Sequence, residues 1–178
     1  MKRLFDLAGA AGGLLVFLPA MTLVAAAILL DDGPPLLFRQ ERLGRRRRRF
    51  TILKFRSMRD GRITRVGRLL RDTGLDELPQ FINILRGEMS AVGPRPLTEA
   101  DAARLGWSGP RYDDRWRVAP GLTGLAQLVG TNASRSSLFL DRAYIARQSV
   151  WLDIRLVAAS FAINALGKQR ARELLVRR

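Results

Sequence analysis

The segment "LAGAAGGLLVFLPAMTLVAAAILL", Leu7 to Leu30, runs for 24 residues without a charge. As a straight helix it would be about 36 Å long, against a hydrocarbon core of roughly 30 Å, so its first reading is a membrane helix. A cleaved signal peptide fits less well, because the stretch is long and Asp31-Asp32 follows it in place of a small-residue cleavage site. Two details complicate a simple span. Pro19 sits near the centre, where it removes a backbone hydrogen bond and favours a kink. Both flanks are also basic: Lys2 and Arg3 precede the segment, and the most cationic part of the chain follows it. Cytoplasmic loops carry excess Lys and Arg, so both ends are drawn to the same side. An ordinary span and a re-entrant helix that bends at Pro19 and returns to the face it entered both remain open on these residues alone.

The rest of the 178 residues suffices for one domain with a modest core. The formal charge of +15 points to polyanionic partners: nucleic acid, phosphorylated small molecules or an anionic membrane surface. The chain has neither cysteine nor histidine, which excludes disulfides, Cys/His zinc sites and imidazole chemistry. Acid–base or nucleophilic work falls to Asp, Glu, Lys, Tyr or Ser. The lack of cysteine fits a cytosol-facing protein.

From Arg39 to Arg71 there are 14 cationic residues and two acidic ones, Glu41 and Asp60, including the run Arg45 to Arg49. A nucleic-acid binder could use such a run on the phosphate backbone. Its position directly after an apolar segment favours a solvated turn beside anionic headgroups, and it lacks the interleaved aromatics of single-strand binders. "FTILKFRSM", Phe50 to Met58, reads as a strand, pairing as a hairpin arm with "LLFRQERLG", Leu36 to Gly44. Lys54 and Arg56 would then share one face.

In "LDELPQFINILRGEMSAVGPRP", Leu75 to Pro96, the residues Leu78, Phe81, Ile82 and Leu85 form one helical stripe. Thr73 stands three before Asp76, a capping-box spacing; Pro79 suits a helix start; Gly87 reads as the stop. Asp76 and Glu77 then lie in the first turn, where free N–H groups and the helix dipole favour anions. On an α-helical wheel Asp76 is nearly opposite the apolar stripe and Glu77 about 100° from it. Acidic residues in a first turn are commonly just helix-stabilising. The neighbours sharpen the reading. Arg95 stands between Pro94 and Pro96, which stiffen the backbone and suit a fixed grip on phosphate. Arg71 precedes Asp76 by one short loop. A carboxylate nucleophile, a second carboxylate able to hold Mg²⁺ and flanking arginines make a plausible phosphoryl-transfer set.

"VAPGLTGLAQ", Val118 to Gln127, is a Pro/Gly-rich loop that can bring backbone close to a ligand. Gln127 and Asn132 either hydrogen-bond a nucleotide or sugar or are ordinary turn polarity. Ser137 to Gln169 reads as largely helical, with interfacial character from Trp151, Leu152, Ile154 and Phe161, and a basic tail follows.

"KRLFD", "FTILKFRSM", "GLDELPQFINILRGEMSAVGPRP" and "APGLTGLAQLVGTN", in that order, resemble the monotopic phosphoglycosyl transferases, the bacterial sugar transferase family. The resemblance covers Lys2 to about Asp153. It implies an α+β, mainly helical, monotopic membrane protein: a re-entrant helix over 1–31, then a cytoplasmic-face catalytic domain over 32–178 with interfacial amphipathic helices and a small β-hairpin. It implies a Mg²⁺-dependent enzyme of the bacterial inner membrane. That enzyme moves a sugar 1-phosphate from a UDP-sugar to a polyprenol phosphate, usually undecaprenyl phosphate, and releases UMP. This is the first membrane step of glycoconjugate synthesis, as for exopolysaccharide or O-antigen. Asp76 matches the nucleophile of a ping-pong route through an aspartyl phosphosugar, and Glu77 the Mg²⁺-ligating partner. Arg71 and Arg95 match phosphate-contacting or loop-ordering positions, and the segment around Pro19 matches the re-entrant helix. The partners implied are the UDP-sugar, the polyprenol phosphate and lipid of the cytoplasmic leaflet, with no nucleic acid and room for a homodimer.

The chain departs from the family pattern at Leu18, where a serine commonly precedes the proline, at Ala119 for Arg, at Leu125 for Trp, and at "LVGTN", Leu128 to Asn132. These changes bear on the sugar and nucleotide pocket. With a short loop at Arg59 to Arg62 and no large N-terminal membrane domain, the chain reads as the small, stand-alone form. Two other functions compete: a membrane-tethered nucleic-acid binder, and an inert scaffold of the same fold.

Overall fold

The computed structural model describes residues 1–130 and 135–166. Asn132 and the basic tail lie outside these residues. The chain opens with α1, Lys2–Asp32, a single helix of 31 residues that continues through Pro19. It is long and apolar enough to cross a membrane. Near the proline the Thr22 hydroxyl donates back to the Leu18 carbonyl at 3.0 Å, which satisfies the hydroxyl within the apolar helix.

A strip along α1 faces the rest of the protein. Asp6, Ala10, Gly13, Phe17, Met21, Val24 and Ile28 follow helical spacing and pack inward. At Gly13 a β-carbon would come within 2.8 Å of the Phe81 ring, so glycine sets how closely α1 approaches the residues after it. The opposite strip, with Leu15, Val16, Leu18, Leu23 and Leu30, is exposed.

Both ends of α1 are tied to the same body. At the start, Lys2 Nζ pairs with Asp153 Oδ2 at 2.6 Å, and Asp6 Oδ1 accepts from Ser90 Oγ at 2.9 Å and Ala91 N–H at 3.0 Å. Arg3 donates to the carbonyls of Ile84, at 2.6 Å, and Leu85, at 2.9 Å. At the end, two carboxylates sit against the negative pole of the helix. Arg56 offsets this with an ion pair to Asp32 at 2.9 Å and a bond to the Gly33 carbonyl at 2.6 Å; Arg59 reaches Asp32 Oδ1 at 3.0 Å. Lys2 and Arg3, the basic pair that precedes the apolar segment, are held by protein partners.

Next come β1, Leu37–Leu43, and β2, Arg49–Phe55, paired antiparallel with Leu37 opposite Phe55, as the alternation predicts. A 3₁₀ turn, Arg45–Arg47, closes the hairpin. The two-residue strands β3, Met58–Arg59, and β4, Arg62–Ile63, form a second small pair. Then follow α2, Arg65–Thr73, and α3, Gln80–Arg86. The free edge of β2 is completed by one side chain. Asn83 Oδ1 accepts from Leu53 N–H at 3.0 Å, and its Nδ2 donates to the Thr51 carbonyl at 2.7 Å. This locks α3 onto the hairpin.

The strand β5, Ser90–Val92, leads through Pro94-Arg95-Pro96 to α4, Glu99–Arg104, which opens with a Thr98/Asp101 capping box. After a 3₁₀ helix, Pro110–Arg117, the strand β6, Gly121–Thr123, pairs parallel with β5, Ser90 to Gly121 and Val92 to Thr123. The helices α5, Leu125–Val129, α6, Arg135–Ala146, and α7, Val150–Leu166, finish the described chain. The largely helical stretch expected from Ser137 onward is, as far as Leu166, two helices. The turn between them lets the Ser149 hydroxyl accept from Leu152 N–H at 3.1 Å. Trp151, Ile154 and Phe161 are exposed. The fold is mainly helical with small strand pairs.

Asp153 is 0 % exposed. Removing Lys2 leaves its charge uncompensated in the interior. Lys2→Met should lower the unfolding free energy by about 3 kcal/mol, read by denaturant titration. A loss under 1 kcal/mol would mean that Asp153 is satisfied without the lysine.

Candidate active site

The site starts at a turn that a wheel drawn for an α-helix misplaces. Gly74 takes a left-handed φ of 77° and ends α2, so Thr73 belongs to that helix and its hydroxyl bonds back to the Leu69 carbonyl at 2.7 Å. It caps nothing downstream. Asp76 and Glu77 sit in a separate 3₁₀ turn, Leu75–Glu77, and the i→i+3 pattern continues from Leu78 to Phe81 N–H and from Pro79 to Ile82 N–H, both 3.1 Å. In a 3₁₀ spiral residues three apart eclipse. Glu77 therefore stacks with Gln80, and both line one cavity of about 240 Å³. Asp76, expected to face the ligand, is 8 % exposed and lies between two lining residues in the chain, Gly74 and Glu77. Gly87 stops α3 as expected, with φ 82°.

The hairpin supplies the opposite wall. Lys54 on β2 donates to Glu77 Oε1 at 2.7 Å, and Arg42 on β1 also lines the cavity. Burial pushes the Arg42 guanidinium down from its ordinary value; Asp101, at 3.5 Å, opposes this and Arg95 adds to it. Arg56 falls one residue past β2 and clamps the end of α1, so it does not share the Lys54 face, contrary to the sequence expectation.

The third wall comes from two loops fused by glycines. Gly93 N–H bonds the Thr123 carbonyl and Gly121 N–H the Pro94 carbonyl, both at 2.9 Å. A β-carbon on Gly121 would sit 2.0 Å from the Gly93 nitrogen, so only glycine allows the two backbones this close. The contact sets Arg95 and Pro96 beside Thr123 and Gln127, all lining the cavity. Pro94 is buried and Arg71 is exposed on α2; neither lines it.

Behind Arg95 lies a buried support. Arg115 Nη2 donates to the Arg95 carbonyl at 2.7 Å, and Nε to Asp141 Oδ2 at 2.9 Å. The guanidinium also lies over Trp107, 5.3 Å from its centroid, and over Trp116, at 4.9 Å. Burial pushes Asp141 up and Arg115 down, and their ion pair opposes both shifts. Ser160, Ile163 and Asn164 of α7 close the remaining side.

Sequence reasoning missed Arg42, Gln80, Thr123 and Asn164 in the lining. Gln80 is the most informative. It is 2 % exposed, and its Nε2 has no partner among the described residues. A buried amide donor left unpaired costs free energy, so it is poised for a ligand acceptor. Its signal was present: the 3₁₀ register follows from Gly74 and Pro79, and it carries Glu77 onto Gln80.

The chemistry this arrangement supports is binding and transfer of a phosphorylated group. Arg42, Lys54 and Arg95 place three cations around one carboxylate and one amide, with a second carboxylate shielded from water behind them. Mg²⁺ usually takes one or two carboxylates and completes its shell with waters and substrate phosphates. Glu77 beside Asp76 fits that pattern, although among the described residues no group of three potential ligands occurs.

The sequence profile of a family described as bacterial sugar transferase matches residues 1–166. The chain is 43 % identical over 181 residues to an undecaprenyl-phosphate glucose phosphotransferase of Komagataeibacter xylinus, covering 88 % of this chain and 34 % of that protein. It is 40 % identical to a UDP-glucose:undecaprenyl-phosphate glucose-1-phosphate transferase of Caulobacter vibrioides, with 88 % and 66 % covered. It is 38 % identical to a UDP-N-acetylgalactosamine-undecaprenyl-phosphate N-acetylgalactosaminephosphotransferase of Aeromonas hydrophila, with 88 % and 42 % covered. The chain thus spans between about a third and two thirds of the length of these relatives.

The Arg115 support can be separated from stability. Arg115→Met should cost about 3–5 kcal/mol by stranding Asp141, and adding Asp141→Leu should recover most of it. The double variant should still exchange the Gly93 amide about tenfold faster, because the loop loses the donor that holds the Arg95 carbonyl. Unchanged exchange in a folded double variant would remove Arg115 from any role at the site.

Proposed function

The chain belongs to the bacterial sugar transferase family, and we propose that it transfers a sugar 1-phosphate from a UDP-sugar to undecaprenyl phosphate with release of UMP. The observation that carries this reading is the grouping of Arg42, Lys54, Glu77 and Arg95 around one cavity, with Asp76 next to Glu77. The names of the relatives support the donor and acceptor classes. They differ in the sugar, so the donor is assigned here only as a UDP-sugar.

The donor diphosphate binds between Lys54, Arg42 and Arg95, whose charges offset the negative charge that builds in the transition state. One Asp76 carboxylate oxygen attacks the sugar-bearing phosphorus. The bond from that phosphorus to the bridging oxygen breaks, and UMP leaves with the electron pair. A phosphate oxygen of the polyprenol phosphate then attacks the same phosphorus, Asp76 departs as carboxylate, and a polyprenyl diphosphosugar forms. Burial of Asp76 keeps water from competing with the acceptor. Glu77 with Asp76 would hold Mg²⁺, which supplies charge neutralisation to the diphosphate when bound. Lys54 fixes Glu77 in place through their 2.7 Å contact. Gln80 Nε2 donates to an acceptor on the bound donor.

The protein sits in one leaflet, on the cytoplasmic face. This is supported by the two ends of α1. Lys2 and Asp32 are both bound to the same body of protein, so the exposed apolar strip between them meets lipid while both ends stay on one side. A helix that crossed the bilayer would part its ends to opposite faces. The strip and its two anchors fit a helix held against one face of the bilayer.

Detergent-solubilised protein with undecaprenyl phosphate and Mg²⁺ should release UMP from one member of a UDP-sugar panel, with UDP-glucose tested first. Asp76→Asn should reduce the rate by on the order of 10⁴. With donor alone, intact mass should rise by one sugar phosphate in the parent protein and not in Asp76→Asn. Activity without that adduct would sink the covalent route; silence across the panel in folded protein would sink the transfer reading.

A further inference from the structure

The five arginines from Arg45 to Arg49 are not a uniform solvated patch. Arg47 pairs with Asp113 at 2.9 Å and lies 5.3 Å over the Trp116 ring; Arg49 pairs with Glu41 at 3.1 Å and with Glu99. Arg45 Nε donates to the Arg117 carbonyl at 2.9 Å. These three side chains hold the hairpin tip to α4 and to the 3₁₀ helix. Arg46 and Arg48 make no ion pair or side-chain hydrogen bond among the described residues, and neither does Arg86 at the end of α3. All three line a second cavity, of about 440 Å³, apart from the active site and floored by Phe50. Its one acidic residue, Glu88, already accepts from Asn83 Nδ2 at 2.6 Å.

Resting on the membrane seating proposed above, we propose that this cavity binds the phosphate of an anionic phospholipid headgroup, held by Arg46, Arg48 and Arg86. Three guanidinium groups line this one cavity with no ion-pair partner among the described residues, and a phosphate there would take paired N–H bonds from them. The position selects lipid over a soluble anion. Gly87, on the cavity wall, lies against Arg3, whose guanidinium would be 3.4 Å from a β-carbon there. The cavity therefore abuts the first turn of α1, where the exposed apolar strip begins with Leu4. A lipid whose acyl chains cover that strip brings its phosphate to this level. Arg46 and Arg47 also adopt left-handed φ, 55° and 58°, which is uncommon for a long side chain; glycine or asparagine would suit a turn that served only as a turn.

The test counts lipids on the full chain by native mass spectrometry in neutral detergent. Dioctanoyl phosphatidylglycerol is titrated beside dioctanoyl phosphatidylcholine, glycerol 3-phosphate and UMP. One phosphatidylglycerol should bind, and phosphatidylcholine should not. Arg46→Gln/Arg48→Gln/Arg86→Gln should weaken that binding about tenfold or more. Arg39→Gln/Arg62→Gln/Arg68→Gln, which removes the same charge from exposed positions off the cavity, should change it less than about threefold. Equal weakening in the two triples would overturn the site in favour of diffuse attraction. Glycerol 3-phosphate binding as tightly as the lipid, and lost in the first triple, would make it a site for soluble anions. The single variants Arg46→Gln and Arg86→Gln repeat the count should the triple unfold. UMP release in detergent is followed in parallel: its absence counts against the transfer reaction and leaves the lipid count standing, whereas a failed count leaves the reaction standing.

Discussion

A carboxylate with no exposure to water must be neutralised where it lies, and the wall of the candidate active site depends on how Asp153 meets that demand. Lys2 supplies the opposite charge from the first turn of α1, and the Tyr144 hydroxyl lies 2.7 Å from the other oxygen. Burial holds the Tyr144 phenol well above its ordinary range, so it stays a donor. Lys2 and Tyr144 also reach the Val92 carbonyl, at 3.2 Å and 3.0 Å. One charge centre thus joins α1, α6, α7 and the end of β5. The next residue, Gly93, begins the loop that carries Arg95. The requirement to compensate a buried charge in one place fixes the start of a cationic wall in another.

The formal charge of +15 loses its mystery once the arginines are followed to their partners. Arg115 is buried against Asp141 and two indole rings. Arg56 and Arg59 reverse the unfavourable charge at the end of α1. Arg142 grips Asp114 with bonds of 2.6 and 3.2 Å, and Arg47 and Arg49 staple the hairpin. Exposed pairs of this kind contribute little stability singly. Their effect is on geometry: planar forks hold loops that have few strands to hold them. Among the described residues, Arg42, Lys54 and Arg95 line one cavity and Arg46, Arg48 and Arg86 another.

Features governed by local periodicity were legible in the sequence. Alternation marked the hairpin, a run of uncharged residues marked α1, and Gly87 marked a helix end because a left-handed residue must close it. The family motifs marked the residues around Asp76 and Arg95. The phase of the site was not legible from an α-helical wheel, because Gly74 and Pro79 impose three residues per turn and bring Glu77 and Gln80 to the cavity. Nor were the long-range partners. Nothing near Lys2 announces Asp153, and nothing near Arg95 announces Arg115, since both contacts arise only when distant elements pack. Arg56 was misread for a related reason: its strand ends one residue early, so its neighbour's face no longer applies to it.

The shortness of α3 has a mechanical consequence. Phe81 packs against Gly13 and stacks on Phe17, with ring centroids 6.3 Å apart, while its neighbour Gln80 lines the active-site cavity. The apolar helix α1 and the cavity therefore lie on two sides of one element of seven residues. Close-packed interiors transmit displacement and do not absorb it. Gly13 leaves no space between α1 and the Phe81 ring, and Asn83 fixes the same helix to β2. A shift of α1 must move Phe81, and with it Gln80 and the 3₁₀ turn that carries Asp76 and Glu77. The position of α1 and the alignment of the carboxylate pair are in this way a single geometric condition, set by the contact of a glycine with a phenyl ring.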